Sequence, residues 1–555
     1  MKLANRRIRL VLAVFAVAFA AMFARAAWLQ GVRAGSFERL ADGQHRATLV
    51  DPGGRGGIYD RTGVQLAVGR QATSVYANPR QVRDPEALAA VVGHALRVDP
   101  AEMQQLLSDR SRGFVYLVRK ADPTRAAALK RMGIVGLGFI PEEQRVYPLN
   151  HVAAQVVGYA GTDNHGLAGL ELGLERKLSG KPGSETVVRD PSGRAISVLE
   201  STAAHEGQDV YLTIDHTIQA QAEAVLRSTL DRWHAKSASA IVLDPRTGDI
   251  LAMAVERGYD ANQFPIIPRD LQRNRAVTDT YEPGSTFKIV TVSAVLSEGL
   301  VTPRTAFTLP YEIHVADRVI RDAHPRGTER LTVDEILSQS SNVGTITLAE
   351  KLGSQRLSDW IGRFGFGHRT GIDFPGESPG IIPSLARWSG STIGTLPIGH
   401  GVAVTPVQMA AAYATVANEG VWLRPHFVDR IGAGGRPTVP SRRVLAPRVA
   451  GQVLSMMRDV VLEGTGQEAK LPGYEVAGKT GTAAKPDPSG GYSTSRYVAS
   501  FVGIVPATRP RVVILVTIDE PQASIWGGVV AAPAFQEIAR FDLQYLEIPP
   551  DSPLP

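Results

Sequence analysis

The stretch Tyr281-Glu-Pro-Gly-Ser-Thr-Phe-Lys288 contains a serine and a lysine in the pattern S-x-x-K, and an apolar run to Leu296 follows it. Proline just before a helix and serine in its first turn are typical of a helix start, so we predict a helix from Ser285 to Leu296. A lysine three residues after a serine lies on the same helical face. The pattern therefore predicts a nucleophile, Ser285, and its base, Lys288, in one turn at the positive end of a helix.

Two further short motifs follow in chain order. Ser340-Ser-Asn342 has the pattern S-x-N, and Lys479-Thr-Gly-Thr482 has the pattern K-T-G-T. Each motif alone is weak, because S-x-x-K occurs by chance in many proteins and an exposed serine near a lysine is then the ordinary interpretation. Together and in this order, they match the set used by class A β-lactamases and penicillin-binding proteins.

The residue types in the first two motifs suit acyl transfer. A lysine at its usual pKa is protonated, so Lys288 needs burial or a second cation to act as a base, and Lys479 is the candidate cation. We expect Ser340 and Asn342 to hydrogen-bond Lys288 and to relay a proton to the leaving amine. Asn342 is also expected to hold a substrate amide.

The third motif is predicted to lie on a strand beside the nucleophile. Gly481 would let a substrate backbone approach this strand closely. Lys479, Thr480 and Thr482 are expected to bind a substrate carboxylate. The backbone N–H groups of Ser285 and Thr482 are predicted to form an oxyanion hole, in which one donor is typically worth about 10²–10³ in rate.

The N-terminus has the pattern of a membrane anchor. Residues 1–9 are basic without an acid, and residues 10–29 are apolar apart from Arg25. A span needs ~20 residues of this kind, and the positive-inside rule keeps the basic end in the cytoplasm. The alternative is a cleaved signal peptide, because Ala24-Arg-Ala26 has the A-x-A form, although an arginine inside the cleavage box argues against it.

Composition excludes several other functions. The chain has 555 residues, a net charge of +6 and no cysteine. Because much of the excess positive charge lies in the first residues, no basic face of a nucleic-acid-binding protein is indicated. A disulfide framework and a thiolate site are excluded. The histidines lack H-E-x-x-H spacing and the chain lacks a P-loop, so we expect no metal and no cofactor.

The order of these features resembles that of the class B penicillin-binding proteins along nearly the whole chain. The box Arg55-Gly-Gly-Ile-Tyr-Asp-Arg-Thr-Gly63 also fits that family. Division-specific members are the most similar, because Glu282 stands where elongation-specific members usually have proline. Ile518-Asp-Glu-Pro521 and Ala531-Ala-Pro533 are also similar to the division type. His400 departs from the tyrosine expected in many relatives, which bears on the acceptor side of the site.

The resemblance implies a mixed α/β architecture. Residues 1–9 would be a cytoplasmic tail, 10–29 the transmembrane helix and 30–215 an elongated, non-catalytic pedestal resembling a dimerisation domain. Residues 216–545 would form the transpeptidase domain, an antiparallel sheet flanked by helices, with a flexible tail at 546–555. Within the pedestal, residues 30 to about 60 are predicted to be a poorly periodic stalk.

The resemblance also implies a D,D-transpeptidase of peptidoglycan. Ser285 would form an acyl-enzyme with a stem peptide as the terminal D-alanine leaves, and an amine of a neighbouring stem peptide would accept the acyl group. β-Lactams would inhibit the enzyme covalently. The protein would lie in the inner membrane with a periplasmic catalytic domain, beside a lipid-II-polymerising glycosyltransferase and other division proteins.

Other functions remain as alternatives. The nearest is an elongation-specific class B transpeptidase. A D,D-carboxypeptidase or β-lactamase needs a base that activates water efficiently, and no spare carboxylate motif identifies itself. A penicillin-sensing receptor or a scaffold with a decayed site is disfavoured because all three motifs are intact.

Overall fold

A computed structural model of the protein has a mixed α/β architecture, as the sequence predicts. The structure describes residues 2–33, 35, 46–51, 53–189 and 195–552. The strands are β1 (Arg46–Asp51), β2 (Ile58–Tyr59), β3 (Gln65–Ala77), β4 (Val115–Ala121), β5 (Leu137–Val146), β6 (Gly183–Arg189), β7 (Ala195–Thr202), β8 (Val210–Leu212), β9 (Ser237–Leu243), β10 (Ile250–Glu256), β11 (Ala306–Leu309), β12 (Glu312–Val315), β13 (Arg318–Arg321), β14 (Glu329–Thr332), β15 (Val421–Leu423), β16 (Val428–Ile431), β17 (Ser441–Arg443), β18 (Ala477–Pro486), β19 (Tyr492–Val505) and β20 (Val512–Asp519). The helices are Lys2–Gly31, Pro85–Leu96, Pro100–Ser108, Pro123–Arg131, Ala154–Val157, Gly169–Gly173, Glu175–Leu178, His216–Trp233, Arg275–Thr278, Lys288–Ser297, Val333–Ser338, Asn342–Leu352, Ser354–Arg363, Thr392–Thr395, Pro406–Ala417, Pro447–Leu462 and Gly527–Tyr545.

The first of two compact units comprises Met1–Gly54 and Gly180–Gly207. Its N-terminal helix contains a segment, Asn5–Gly31, that is long and apolar enough to cross a membrane. No other helix in the described part of the chain meets that criterion. Its length and composition agree with the predicted span, and a signal sequence at the same place would meet the same criterion.

The same unit contains an antiparallel sheet in the order β1-β6-β7. In it Arg46 pairs with Val188 and Asp51 with Gly183. The prediction of an irregular stalk is therefore wrong for residues 46–51. Their strand partner lies far along the chain, so local periodicity did not reveal it. Residues 36–45 of the predicted stalk lie outside the described residues.

The second unit comprises Arg55–Ser179 and Gln208–Pro555. It begins with a hairpin, in which Ile58 of β2 pairs with Ala67 of β3. Three helices follow, and each begins at an Asp-Pro pair whose aspartate side chain accepts backbone N–H groups of the first turn. The aspartate side chain satisfies backbone N–H groups that have no partner within the first turn of a helix. Proline suits the first position because it has no N–H group that would need a partner.

A buried ion network holds the start of this unit. Arg55 Nε donates to Glu171 Oε2 at 2.7 Å, and Arg145 Nε donates to Glu171 Oε1 at 2.6 Å. Glu171 is fully buried and shared by the two arginines, so its loss would leave buried charges without their common partner, and breaking a buried ion pair typically costs about 3–5 kcal/mol. Arg55, the first residue of the box that the sequence analysis singled out, therefore has a structural role in this part of the fold.

The catalytic part is built on a five-stranded antiparallel sheet in the order β10-β9-β20-β19-β18. Alternate residues point to opposite faces, so Ile241 enters one hydrophobic core and Val242 the other. One core includes the helices His216–Trp233 and Gly527–Tyr545, and the other includes Lys288–Ser297. Strand β18 lies at the edge of the sheet, beside the turn Gly284–Phe287.

The C-terminal residues after Tyr545 have no helix or strand as far as 552, as the sequence predicts, but they are not loose. Ile548 is buried, and its carbonyl oxygen accepts from Tyr474 Oη at 2.7 Å. Asp551 accepts from the N–H of Glu475 at 2.8 Å. The expected flexible tail is therefore docked over residues 546–552.

A buried carboxyl group gives a stability prediction. Asp542 is fully buried and neither of its carboxyl oxygens has a hydrogen-bond partner in the described residues. Burial raises the pKa of Asp542 well above its usual value, and the charge of Asp215 raises it further. A carboxyl whose pKa is higher in the folded state costs stability as pH rises above its unfolded value of about 4.

Asp542→Asn is therefore expected to raise the free energy of unfolding at pH 7 relative to the unchanged protein, with little difference at pH 4. Urea unfolding at both pH values measures this. Asp231→Asn, at an exposed position of the helix His216–Trp233, serves as the matched control and should change stability at neither pH. Equal destabilisation of the Asp542 variant at both pH values would contradict the argument.

Candidate active site

The nucleophile motif forms the start of a buried helix. Gly284–Phe287 is a single 3₁₀ turn that continues into Lys288–Ser297, which confirms the predicted helix with a tighter first turn. Ser285 is partly exposed and lines a cavity of about 440 Å³. The helix behind it is apolar and buried, so the turn is fixed in place.

The structure brings the three motifs together around this cavity. The cavity walls include the following predicted site residues: Ser285, Ser340, Asn342, Thr480 and Thr482. Lys288 and Lys479 are fully buried beneath them. Gly481 packs beneath the nucleophile turn, where an added Cβ would lie 2.9 Å from the carbonyl oxygen of Pro283.

Lys288 is held by the second motif. Its Nζ donates to Ser340 O at 2.6 Å, to Ser340 Oγ at 3.3 Å and to Asn342 Oδ1 at 2.8 Å. Among the described residues it makes no hydrogen bond to Ser285 Oγ. Burial lowers the pKa of Lys288 to about 7, while the charge of Asp322 acts in the opposite direction. A substantial fraction of this amine is therefore neutral near pH 7.

Lys479 contacts the same serine from the other side. Its Nζ donates to Ser340 Oγ at 2.9 Å and to Thr480 O at 3.2 Å. Burial lowers the pKa of Lys479 well below its usual value, and the charge of Lys288 lowers it further. For Lys288 itself, burial is the cause of the lowered pKa. Lys479 thus lies close to Lys288, as predicted, but its role as the cation that lowers the pKa of Lys288 stays a prediction, and the hydroxyl of Ser340 bridges the two amines.

Asp322 was missed by the sequence analysis, although it positions the S-x-N motif. It accepts from Ser341 Oγ at 3.1 Å, from Asn342 N at 2.6 Å and from Val343 N at 3.0 Å. Arg326 Nη2 pairs with it at 2.6 Å. Asp322 follows a short strand in a stretch without a motif, so nothing in the local sequence marks it.

The K-T-G-T motif lies on the edge strand β18, as predicted. Thr480 Oγ1 is 2.8 Å from Thr465 Oγ1, and Thr482 Oγ1 accepts from Gly527 N at 3.1 Å. A Cβ added to Gly527 would lie 2.3 Å from the carbonyl oxygen of Gly481, so only glycine fits there. The two threonines therefore line the cavity on a rigid wall, and their binding of a carboxylate stays a prediction.

Known proteins match both halves of the chain. Residues 238–540 match the family described as penicillin binding protein transpeptidase domain, and residues 50–212 match the penicillin-binding protein dimerisation domain. Peptidoglycan D,D-transpeptidase FtsI of Escherichia coli is 34% identical over 555 residues, which cover 98% of this chain and 93% of that protein. The chain belongs to the class B penicillin-binding proteins. The family, fold class and serine acyl-transfer activity predicted from the sequence are therefore confirmed.

Other class B penicillin-binding proteins extend the likeness. Penicillin-binding protein PbpB of Mycolicibacterium smegmatis is 36% identical, covering 97% of this chain and 89% of that protein. The crystal structure of penicillin binding protein 3 from Mycobacterium tuberculosis, complexed with aztreonam, superimposes with a TM-score of 0.72 at 31% identity. That likeness covers 91% of this chain and 99% of the crystallised chain.

Proposed function

We propose that this penicillin-binding protein cross-links peptidoglycan by acyl transfer through Ser285. The observation that carries the proposal is the hydroxyl of Ser340, which lies between two buried amines beside the nucleophile, 3.3 Å from Lys288 Nζ and 2.9 Å from Lys479 Nζ. Such an arrangement supplies both a proton acceptor and a path along which a proton can be returned.

In the first step, neutral Lys288 accepts the proton of Ser285 as its Oγ attacks the penultimate D-alanine carbonyl of a stem peptide. The N–H groups of Ser285 and Thr482 stabilise the oxyanion, and the amide of Asn342 holds the substrate. The proton passes through Ser340 to the leaving terminal D-alanine. Lys479, with Thr480 and Thr482, attracts the substrate carboxylate.

In the second step, an amine of a neighbouring stem peptide attacks the acyl-enzyme. The amide forms, the ester bond to Ser285 breaks, and Ser285 regains a proton that the attacking amine gives up. A β-lactam would enter the same first step and remain attached, because its ring nitrogen cannot diffuse away. The homologous structures crystallised with aztreonam and with ampicillin support this extension.

We further propose the location and the domain boundaries. Residues 1–9 would lie in the cytoplasm and 10–29 would span the inner membrane as an uncleaved anchor, with the catalytic domain, residues 216–545, in the periplasm. Residues 30–215 would form the pedestal. The basic flank of the apolar helix supports this direction of insertion.

The process served is proposed to be septum formation rather than elongation. Glu282 and the segment 518–521 support this through their likeness to division-specific members. Division-specific and elongation-specific transpeptidases catalyse the same acyl transfer, so the two types must differ in the protein partner that each one binds. A lipid-II-polymerising glycosyltransferase of the division complex, contacted by the membrane helix and the pedestal, is the proposed partner.

Depletion of the protein in its source bacterium is therefore expected to give filaments. A chimera that carries residues 1–215 of this chain on the catalytic domain of an elongation-specific relative should move to the division site, as seen by fluorescence microscopy. The reverse chimera is the matched control and should leave it. Rounded cells would assign the protein to elongation, and unchanged cells would argue against an essential cross-linking role.

A further inference from the structure

The residue that departs from the family pattern, His400, lies directly against the nucleophile turn. The segment before Val404 runs beside Tyr281, with N–H to carbonyl bonds of 3.0 and 2.9 Å between these two residues. Gly284 N also donates to Gly399 O at 3.2 Å, and a Cβ on Gly399 would lie 2.2 Å from Gly284 O. These contacts fix His400 next to the turn, and its side chain lines the same cavity as Ser285.

A carboxylate orients the imidazole. Glu282 Oε2 is 3.1 Å from His400 Nδ1, while Glu282 Oε1 accepts from Gly401 N and from Tyr492 Oη, each at 3.2 Å. The imidazole also lies edge-on to the Tyr492 ring, with centroids 5.1 Å apart. Because an ionised carboxylate only accepts hydrogen bonds, Nδ1 carries the hydrogen and Nε2 keeps its lone pair.

The lone pair of Nε2 has no partner within the described residues. A histidine whose Nδ1–H is held by a carboxylate is the arrangement that serves proton transfer in many acyl-transfer enzymes. The lysine pair, in contrast, is already bonded to Ser340 and Asn342. The cavity therefore contains two separate candidate proton acceptors, and acyl transfer to an amine needs two proton transfers, one from the amine nitrogen and one to Ser285 Oγ.

We propose that His400 accepts the proton of the incoming acceptor amine, with Glu282 as the positioning residue. The amine nitrogen attacks the acyl carbonyl, the C–N bond forms, and the nitrogen releases its proton to His400 Nε2. The ester C–O bond to Ser285 then breaks, and Ser285 Oγ is reprotonated from the lysine pair through Ser340. The imidazolium then returns a proton through water to the lysine pair, which restores the site. This inference rests on the proposed transpeptidase function.

The test separates transfer to an amine from transfer to water. The full-length protein in detergent is given an N-acyl-D-alanyl thioester donor and glycinamide as acceptor amine, and amide and acid products are counted by mass spectrometry. His400→Gln keeps a donor to Glu282 but has no basic nitrogen. It is expected to lower the ratio of aminolysis to hydrolysis by ~10²-fold, the usual worth of one general base, with a far smaller effect on donor acylation.

Two further variants sharpen the result. Glu282→Gln should lower the same ratio by a smaller factor, because the imidazole remains but loses its orienting charge. His165→Gln is the matched control, since it removes another imidazole 3.1 Å from a carboxylate, at a position outside the cavity lining, and should leave the ratio unchanged. Thermal unfolding checks that all variants are folded.

The outcomes distinguish the two proposals. An unchanged ratio in both folded variants, His400→Gln and Glu282→Gln, would overturn the role of His400 while leaving the transpeptidase assignment intact. An equal fall in acylation and aminolysis would also overturn it, because the residue would then act on the shared first step. A wild-type protein that forms no acyl-enzyme, or that gives only hydrolysis, would instead contradict the proposed function.

Discussion

Replacing Ser285 by alanine is expected to abolish covalent labelling by a fluorescent penicillin while leaving the fold intact. Ser285 Oγ is the attacking atom in the proposed mechanism, and its loss removes the bond-forming group itself. The side chain is partly exposed at the cavity and makes no hydrogen bond within the described residues, so alanine leaves no buried polar partner unpaired. Gel fluorescence measures the labelling, and thermal unfolding checks the fold.

The control is Ser293→Ala, on the same helix. Ser293 is fully buried and its Oγ has no hydrogen-bond partner among the described residues, so this variant should fold and label as the unchanged protein does. Mass spectrometry of the digested adduct identifies the modified peptide. An adduct on a peptide without Ser285 would exclude the proposed nucleophile.

Lys288→Ala is expected to slow acylation by several orders of magnitude even though Ser285 is intact. A general base is usually worth about 10²–10⁴ in rate, and removal of a cation beside the oxyanion site adds to that loss. In the unchanged protein, burial lowers the pKa of Lys288 to about 7. Because only the neutral amine accepts a proton, the acylation rate should rise with pH up to that value and then level off.

Stopped-flow measurement of the second-order acylation rate between pH 5 and 9 checks both expectations. The Lys288 variant should be slow at every pH and should lose the rise near pH 7. Lys485→Gln is the matched control, because Lys485 lies on the same edge strand as Lys479 but pairs with Asp519 and Glu520. A Lys288 variant within a few-fold of the unchanged protein would mean that another residue is the base.

The reactive groups of this site could be predicted from the sequence because they are set by short-range geometry. Ser285 and Lys288 share one helical turn, and the K-T-G-T residues share one strand, so spacing alone places them. The structure shows the predicted helix and the predicted strand at these positions.

The residues that support the reactive groups could not be predicted from short-range spacing. Asp322 contacts the S-x-N motif only because the chain folds back from β13, and Glu282 meets Tyr492 across 210 positions of sequence. The pKa of Lys288 likewise depends on how deeply the finished fold buries it. Strand β1 was missed for the same reason, since β6, its partner, is distant in the chain.

The glycines beside the nucleophile bear on how this enzyme can evolve under antibiotic selection. An added Cβ would lie 2.2 Å from a main-chain oxygen at Gly399 and 2.3 Å from one at Gly527. Any residue larger than glycine at either position would therefore have to displace the main chain. We expect substitutions that alter drug susceptibility instead at side chains that line the cavity, such as His400 and Trp526.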